Sequence, residues 1–256
     1  MLFLAVAISA SAENNSERNL TFSAGVHVGT DVGGAVPIPL SNAIGSNDQV
    51  NASLRLRPNI GLSSTAAFNE RWALTLEATY KTIGLSADAR VENQTFLDRG
   101  NDPWIWVSFR GNASMEMSFS MLEIPLYVRY AIGSSGKNRL LFGVYYARVF
   151  NANFLTTSQK GMLFNVIDGV TDFNNPIGII SPDGAVAHDF SDVMNRWDTG
   201  IMLGYERQIF CPRLTISGRF SMGFNDIFQP GKRYLAYRMQ HIRGTIAISY
   251  TFWNGN

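Results

Sequence analysis

The chain has 256 residues, and only 16% of them are charged, against about 25% in typical soluble domains. Its formal net charge of +1 argues against a nucleic-acid partner held by phosphate neutralisation. The single cysteine, Cys211, excludes an intrachain disulfide framework, and with only three histidines it gives no basis for a Cys/His zinc site.

Residues 1–12 are predicted to be an export signal. Residues 2–8 form an apolar run, and residues 10–12 read Ala-Ser-Ala, which is the pattern of a signal-peptidase cleavage site. The run is far shorter than the about 20 apolar residues of a membrane anchor, and Glu13 ends it. We therefore predict a signal peptide over residues 1–12 and a mature domain over residues 13–256.

Beyond residue 13, apolar and polar residues alternate with the period of two that is typical of β-strands. The last segment is the clearest, because Ile242, Ile246 and Ile248 share one parity. Arg243 and Thr245 share the other. Eight such segments are predicted as strands: residues 21–28, 54–63, 72–81, 122–130, 141–149, 198–206, 213–224 and 241–252.

The segments between the predicted strands alternate in length. Three are tight turns and four are long loops: residues 68–71, 133–138 and 210–212, and residues 31–51, 87–114, 156–195 and 225–239. Short periplasmic turns and long extracellular loops are typical of transmembrane β-barrels, whereas a soluble β-sandwich has no reason to sort its loops. The predicted fold is all-β, an eight-stranded antiparallel up-and-down transmembrane β-barrel. A soluble lipocalin-like barrel is the alternative fold.

The charged residues of the predicted strands fall on the less apolar parity. They are Arg55, Arg57, Glu77, Lys81, Glu123, Arg129, Arg148, Glu206, Arg219 and Arg243. An Arg or Lys side chain facing lipid costs about 2–4 kcal/mol at the midplane, and the interior of eight strands is filled by side chains. We therefore predict a structural charge network that closes the lumen, with Asp198, loop carboxylates or water pairing the basic surplus. The pattern is least regular around Arg148, because Phe142 and Val144 share its parity.

The fourth predicted strand contains a change of parity. Apolar residues are odd-numbered from Met115 to Met121 and even-numbered from Leu122 onward. Either a β-bulge lies near Leu122 or the upper part of the strand leaves the bilayer. Pro125 lacks a ladder donor and is tolerated at a bulge. The sequence leaves both explanations open.

Aromatic residues and apolar loop segments suggest contacts with membrane or partners. Aromatic residues near predicted strand ends fit interfacial girdles: Trp72, Tyr80, Tyr130, Tyr205, Tyr250, Phe252 and Trp253. Residues 104–107, 162–167 and 177–180 are unusually apolar for solvent-exposed loops. They contact a partner or membrane, or else they pack on one another and extend the strands outward.

Two residue sets invite a chemical interpretation. His27 and His241 lie on the first and last predicted strands, which are neighbours in a closed barrel, but no further metal-ligand residue supports them. His188-Asp189 with Ser181 or Ser191 resembles the residue types of a hydrolase, but only within the longest loop. We predict no catalytic, cofactor or metal site, and hence a protein that is not an enzyme.

Three segments resemble the PorT-like outer-membrane β-barrel family. Residues 121–130 read MLEIPLYVRY and resemble its LEIPL…Y strand, and residues 198–206 read DTGIMLGYE and resemble its D-x-G-x-x-x-G-Y/F-E strand. Residues 250–252, Tyr-Thr-Phe, resemble the terminal strand of outer-membrane barrels. The resemblance covers about the second half of the chain, from Met115 onward, and it implies that the domain over residues 13–256 is a barrel in the outer membrane of a Gram-negative bacterium. The family's namesake is associated with assembly of a protein-secretion machine.

The expected function is that of a non-enzymatic structural or accessory protein, as a subunit or partner of an envelope complex for secretion, assembly or uptake. Expected partners are outer-membrane lipid or lipopolysaccharide and other outer-membrane proteins, with no nucleic acid and no cofactor. A narrow channel is the first alternative, and a lipid-A-modifying barrel enzyme is the second.

Overall fold

The computed structural model describes residues 20–38, 49–98, 105–133, 135–233, 235 and 237–255. The predicted signal peptide lies outside these residues. Over them the chain forms strands β1 (Thr21–Ile38), β2 (Gln49–Leu54), β3 (Arg57–Ala67), β4 (Trp72–Asp98), β5 (Ile105–Ile132), β6 (Asn138–Ile167), β7 (Val170–Ile180), β8 (Val186–Asp189), β9 (Trp197–Gln208), β10 (Leu214–Gly223) and β11 (Arg238–Gly255). The described part of the chain also contains the 3-10 helices Pro182–Gly184 and Ser191–Val193. No helix among the described residues is both long enough and apolar enough to span a membrane.

Eight of these strands pair with one another in a closed cycle. All pairings are antiparallel, and they lead from β1 through β3, β4, β5, β6, β9, β10 and β11 back to β1. We call this cycle the ring. β2 pairs with β4, and β7 and β8 pair with β6, outside the cycle. The prediction of an all-β, antiparallel architecture is confirmed.

Three ring strands are much longer than a membrane crossing requires. β4, β5 and β6 have 27, 28 and 30 residues, and a membrane strand needs about 9–11. The prediction of a loop at residues 87–114 was wrong for its described part, because Asp88 pairs with Ser114 and Asp98 with Ile105. In residues 156–195, β6 turns into β7 through Asp168 and Gly169, both at positive φ, as in a two-residue hairpin turn.

We call the end of the ring that carries the short turns between its strands the lower end. This lower part of the ring is apolar outside and polar inside. On β4, Leu76 is 43% exposed while its neighbour Glu77 is 3% exposed. On β5, Ile124 and Leu126 face outward and Tyr127 faces inward. The exposed outward residues form an apolar belt: Val26, Val28, Ile60, Leu62, Leu76, Tyr80, Ile124, Leu126, Phe142, Val144, Leu203, Ile216, Phe220, Ile246 and Ile248.

Above the belt the two faces exchange their character. Ile83 on β4 and Phe119 on β5 face inward and are buried, whereas Thr82 and Ser118 take the outward positions. This exchange is expected where hydrocarbon no longer covers the strands, because apolar residues can then leave water only by facing one another.

β5 keeps one side-chain orientation through the point where its pattern changes. Glu123, Met121 and Phe119 all face inward. The odd-numbered side chains of β5 therefore keep their direction, while the surroundings of the strand change. A register shift against β6 lies between Ser120 and Met121 and leaves Phe150 as the extra residue. The strand therefore leaves the belt, and the bulge is on its partner.

The upper interior is an apolar core that loops close from above. Phe154 lies 6.0 Å from Phe190 and 5.6 Å from Phe228, measured between ring centroids. Both partners come from residues 190–194 and 225–239, which the sequence predicted as loops. The backbone amide of Gln229 donates to the backbone carbonyl of Val193 at 2.8 Å, so the two loops also hydrogen-bond to each other.

Candidate functional site

The interior of the lower ring contains three layers of paired polar residues. In the lowest layer, Glu206 accepts hydrogen bonds from Arg129 and, at 2.9 Å, from Arg139. Arg129 also donates to Thr65 Oγ1 at 3.3 Å, and Thr65 lies 2.9 Å from the Thr75 hydroxyl. These residues come from β3, β4, β5, β6 and β9, so this layer joins both sides of the ring.

The middle layer centres on a buried carboxylate, Glu77. Arg219 Nη1 and Nη2 donate to its two oxygens at 2.5 and 2.9 Å, and the Tyr127 hydroxyl donates to it at 2.5 Å. Arg219 lies across the interior on β10. A two-pronged contact of this kind is the strongest pairing between guanidinium and carboxylate.

The upper layer is built on Asp31 and Glu123. Lys81 Nζ donates to Glu123 at 2.8 Å and to Asp31 at 3.4 Å, and Arg243 donates to the other Glu123 oxygen. Asn59 and Thr245 donate to Asp31 at 2.6 and 2.5 Å. All six residues are buried, so each charge is compensated within the ring.

The predicted network residues fall into two groups in the structure. Seven of them take part in the interior layers: Glu77, Lys81, Glu123, Arg129, Glu206, Arg219 and Arg243. Arg57 is partly buried in the ring, on β3. Arg55 lies between β2 and β3 and forms an exposed ion pair with Glu116 at 3.0 Å.

The interior position predicted for Arg148 was wrong. Arg148 is exposed on the outward face of β6, and Tyr145 and Ala147 face inward. Between Leu141 and Val149 the inward residues of β6 are uncharged, and two of them lie against large side chains. An added Cβ at Gly143 would fall on Tyr127, and Tyr145 lies against Arg243, 4.6 Å from ring centroid to guanidinium. Polarity therefore does not separate the two faces of β6.

Asp31 completes the network, but the sequence assigned it to a loop. Asp31 pairs with Lys81, whereas Asp198, which the sequence offered as a partner for the basic surplus, forms no ion pair with a described residue. Asp198 is buried and accepts a hydrogen bond from the Tyr145 hydroxyl at 2.7 Å. The signal for Asp31 was its parity, because it continues the inward series of Gly25 and His27.

The space left inside the network is small. One cavity of about 10 Å³ is lined by His27, Lys81 and Arg219, and another of about 20 Å³ lies beside Glu77 and Arg129. A water molecule needs about 10–15 Å³. Each cavity therefore holds about one water molecule, and neither of the two is wide enough for a file of hydrated ions.

The two interior histidines lie far apart. His27 is opposite Ser249 across β1 and β11, and His241 is opposite Ala35. Eight positions on β11 correspond to about 26 Å at roughly 3.3 Å per residue. His27 Nε2 lies 3.1 Å from the Thr79 hydroxyl, and the His241 ring stands edge-on to Phe119. Among the described residues, no group of three or more His, Cys, Asp or Glu is placed to hold a metal ion.

The hydrolase interpretation requires His188 and Ser191 to bond to each other, but each of them has other partners in the structure. The Ser191 hydroxyl donates to Asp189 at 2.5 Å and accepts a hydrogen bond from the Phe154 amide. The His188 ring packs between Phe96 and Phe190. Burial lowers the pKa of His188 below its ordinary value, an effect that Asp98 partly offsets. This arrangement lacks the hydrogen bond between base and nucleophile that activates a serine.

The outermost hairpin exposes apolar side chains to solvent. Ile179 is 78% exposed, and Ile167, Val170 and Ile177 are exposed as well. Ile180 and Phe164 are buried, so only part of this apolar segment packs inward. Among the described residues, β7 pairs with β6 alone, which leaves its other edge available for a further strand.

Comparison with known proteins gives one family and several distant structures. The family model described as the outer membrane protein β-barrel domain matches residues 10–229. CarO2 of Acinetobacter baumannii is 10% identical, with a TM-score of 0.38 over 89% of this chain and 98% of that chain. Ail, the attachment invasion locus protein of Yersinia pestis, is 8% identical, with a TM-score of 0.37 over 90% and 98%. The outer membrane protease OmpT of Escherichia coli is 11% identical, with a TM-score of 0.34 over 94% and 100%. No curated protein matches the chain.

Proposed function

This chain belongs to the outer membrane protein β-barrel domain family, and from that premise we propose that it is a closed, non-enzymatic accessory subunit of an envelope complex. It lies in the outer membrane of a Gram-negative bacterium. In our proposal the eight ring strands cross the membrane as an up-and-down barrel, and the apolar belt faces hydrocarbon. The long ends of β4, β5 and β6 then project from the cell surface, because extracellular connections are the longer ones in such barrels.

The filled interior is the observation that carries this proposal. Paired charges occupy the lower ring and an apolar core occupies the upper part. The two cavities beside the paired charges hold about one water molecule each, and we therefore assign the protein's action to its outer surfaces. The exposed apolar residues of β7 and its open edge are the surface that fits a protein partner best.

The resemblance of residues 121–130 to the PorT-like strand supports a more specific version of this proposal. If this chain is a member of the PorT-like family, an accessory role beside a secretion or assembly machine follows. The inward Glu123 of this strand pairs with Lys81 and Arg243, which gives the motif a structural role in closing the ring.

Photo-crosslinking from β7 tests the proposed partner surface. With a photoreactive amino acid at Ile177 or Ile179, we expect a covalent adduct with one other outer-membrane protein in intact cells. The same amino acid at Asp88, exposed on β4, is the matched control and should give no adduct. An Ile179→Asp variant should also prevent co-purification of that protein. Equal adducts at Asp88, or unchanged co-purification, would contradict the proposal.

Electrical recording tests the closed interior against the channel alternative. In planar bilayers the purified protein should give no stable conductance steps, because the network leaves room for single water molecules only. An Arg219→Ala, Glu77→Ala double variant that still folds removes the middle layer and should raise conductance. Stable steps from the unaltered protein would refute closure.

A further inference from the structure

A polar groove crosses the outward face of the upper strands. Its volume is about 410 Å³, within the range of about 300–1,000 Å³ that small-molecule sites occupy. We call it the outer groove. The polar side chains that line it are all exposed: Asn51, Asp88, Arg90, Asn112 and Gln159. The outer groove is far larger than the two cavities inside the charge network, which hold about one water molecule each.

Strand pairing brings these five side chains together on one face. Asp88 of β4 lies opposite Asn51 of β2, and Arg90 of β4 lies opposite Asn112 of β5. Directly opposite residues of antiparallel strands have their Cβ atoms about 4.5–5.5 Å apart. Asp88 and Arg90 are two residues apart on β4, so they share one side of the strand. Gln159 of β6 is the extra residue at the register shift beside Asn112.

The base of the outer groove belongs to the packed part of the molecule. Ala89 and Ala113 also line the groove. They lie opposite each other on β4 and β5, and both pack against the apolar core of the upper ring. The polar side chains therefore project from strands that the core holds in place. A site on packed strands keeps its geometry more precisely than a site on a loop.

The five polar side chains do not use their hydrogen-bonding groups on one another. Within the described part of the chain, none of them forms a side-chain hydrogen bond or an ion pair, although Asp88 and Arg90 carry opposite charges on the same face. Two other arginines of the upper strands do pair with carboxylates: Arg55 with Glu116 at 3.0 Å and Arg110 with Glu92 at 3.1 Å. The donors and acceptors of the outer groove are therefore available to a ligand.

The residue types of the outer groove indicate the class of ligand. Three amides, one carboxylate and one guanidinium supply both donors and acceptors. A sugar hydroxyl donates one hydrogen bond and accepts others, so a saccharide uses both kinds of group. The carboxylate of Asp88 repels phosphate and sulfate groups, which disfavours a polyanion. Alanine is the only apolar residue type in the lining, which disfavours a hydrocarbon ligand.

We propose that the outer groove binds a neutral saccharide. Asp88 accepts hydrogen bonds from sugar hydroxyls, and Arg90 and Asn112 donate to hydroxyl or ring oxygens. Hydrogen bonds in which one partner is charged are the stronger ones. β4 leaves the belt at Thr82, and Asp88 lies about 20 Å further along the strand at roughly 3.3 Å per residue. In the orientation proposed above, the groove therefore faces the cell exterior.

Nuclear magnetic resonance of the full chain in phosphatidylcholine nanodiscs tests the outer groove. Lactose, maltose and N-acetylglucosamine are added to protein labelled at its alanine methyl groups. The signals of Ala89 and Ala113, assigned through Ala89→Ser and Ala113→Ser variants, report binding in the groove. We expect at least one sugar to shift both signals to saturation. Asp88→Asn and Asn112→Ala should each weaken that binding about tenfold, whereas Glu116→Gln, outside the groove on the same face of β5, is the matched control and should leave it unchanged.

Two larger probes distinguish the sources of the saccharide. One is the oligosaccharide released from lipopolysaccharide and stripped of phosphate, and the other is a neutral glycan released from a glycoprotein. Tighter binding of either one, weakened by Asp88→Asn, supports the site and assigns its source. The remaining alanine signals verify that each variant is folded, and the result does not depend on the partner surface of β7.

Three results would overturn the proposal. The first is the absence of shifts at Ala89 and Ala113 with every neutral saccharide. The second is equal binding by Asp88→Asn and Glu116→Gln, which would place the sugar elsewhere on the protein. The third is binding of dextran sulfate or of glycylglycine that is tighter than binding of every neutral saccharide, because the groove would then be a site for anions or zwitterions.

Discussion

Replacing Glu77 with alanine is expected to lower the free energy of unfolding by about 3–5 kcal/mol. The change leaves Arg219 buried without its carboxylate and removes the acceptor of the Tyr127 hydroxyl. The adjoining cavity of about 20 Å³ has no room for a hydration shell that could replace the carboxylate. Urea titration of the protein folded into lipid vesicles measures the loss.

Two control variants test whether the loss of stability comes from an uncompensated buried charge. Glu116→Ala breaks the exposed ion pair with Arg55 and should cost less than about 1 kcal/mol. A Glu77→Leu, Arg219→Met double variant should recover much of the lost stability, because apolar groups that replace both charges leave neither uncompensated. If Glu77→Ala costs no more than Glu116→Ala, the interior is hydrated and the lumen is not closed by charge pairing.

Replacing Leu126 with arginine is expected to lower the free energy of unfolding by about 2–4 kcal/mol. Leu126 lies at the centre of the outward apolar series of β5, which runs from Leu122 to Tyr130, so the new charge would face the middle of the hydrocarbon. Ser118→Arg places the same charge on the same face of the same strand, but above the belt. It should change stability by less than about 0.5 kcal/mol.

The contrast between these two variants is the informative result, and vesicle folding titrations measure both. Equal small costs would indicate that water and not lipid covers Leu126. Equal large costs would indicate that the belt continues above Leu122, which would contradict the exchange of faces at that level.

The alternation of apolar and polar residues predicted the strands of the lower ring well. A strand between lipid and a charged interior needs apolar residues on one face and polar residues on the other. Leu76 and Glu77, or Ile246 and Arg243, therefore differ plainly in polarity. Arg148 was misplaced because the inward side of β6 holds Gly143, Tyr145 and Ala147, which make room for large neighbours and carry no charge.

The upper strands were predicted as loops for a related reason. Between Lys81 and Ile83 of β4, the inward face changes from polar to apolar. A prediction that expects apolar residues on the outward face therefore does not identify a strand beyond this point. Loop closure over Phe154 depends on contacts between distant residues such as Phe190 and Phe228. No local signal in the sequence encodes such contacts.

Spin labels along the outward face of β5 test most directly where lipid ends and water begins. Single cysteines replace Glu116, Ser118, Ile124, Leu126 and Val128 in a Cys211→Ser background, and electron paramagnetic resonance compares accessibility to oxygen with accessibility to a water-soluble nickel reagent. We expect oxygen to dominate at positions 124, 126 and 128, and the nickel reagent to dominate at 116 and 118. Dominance of the nickel reagent at all five positions would contradict the membrane assignment and every role derived from it.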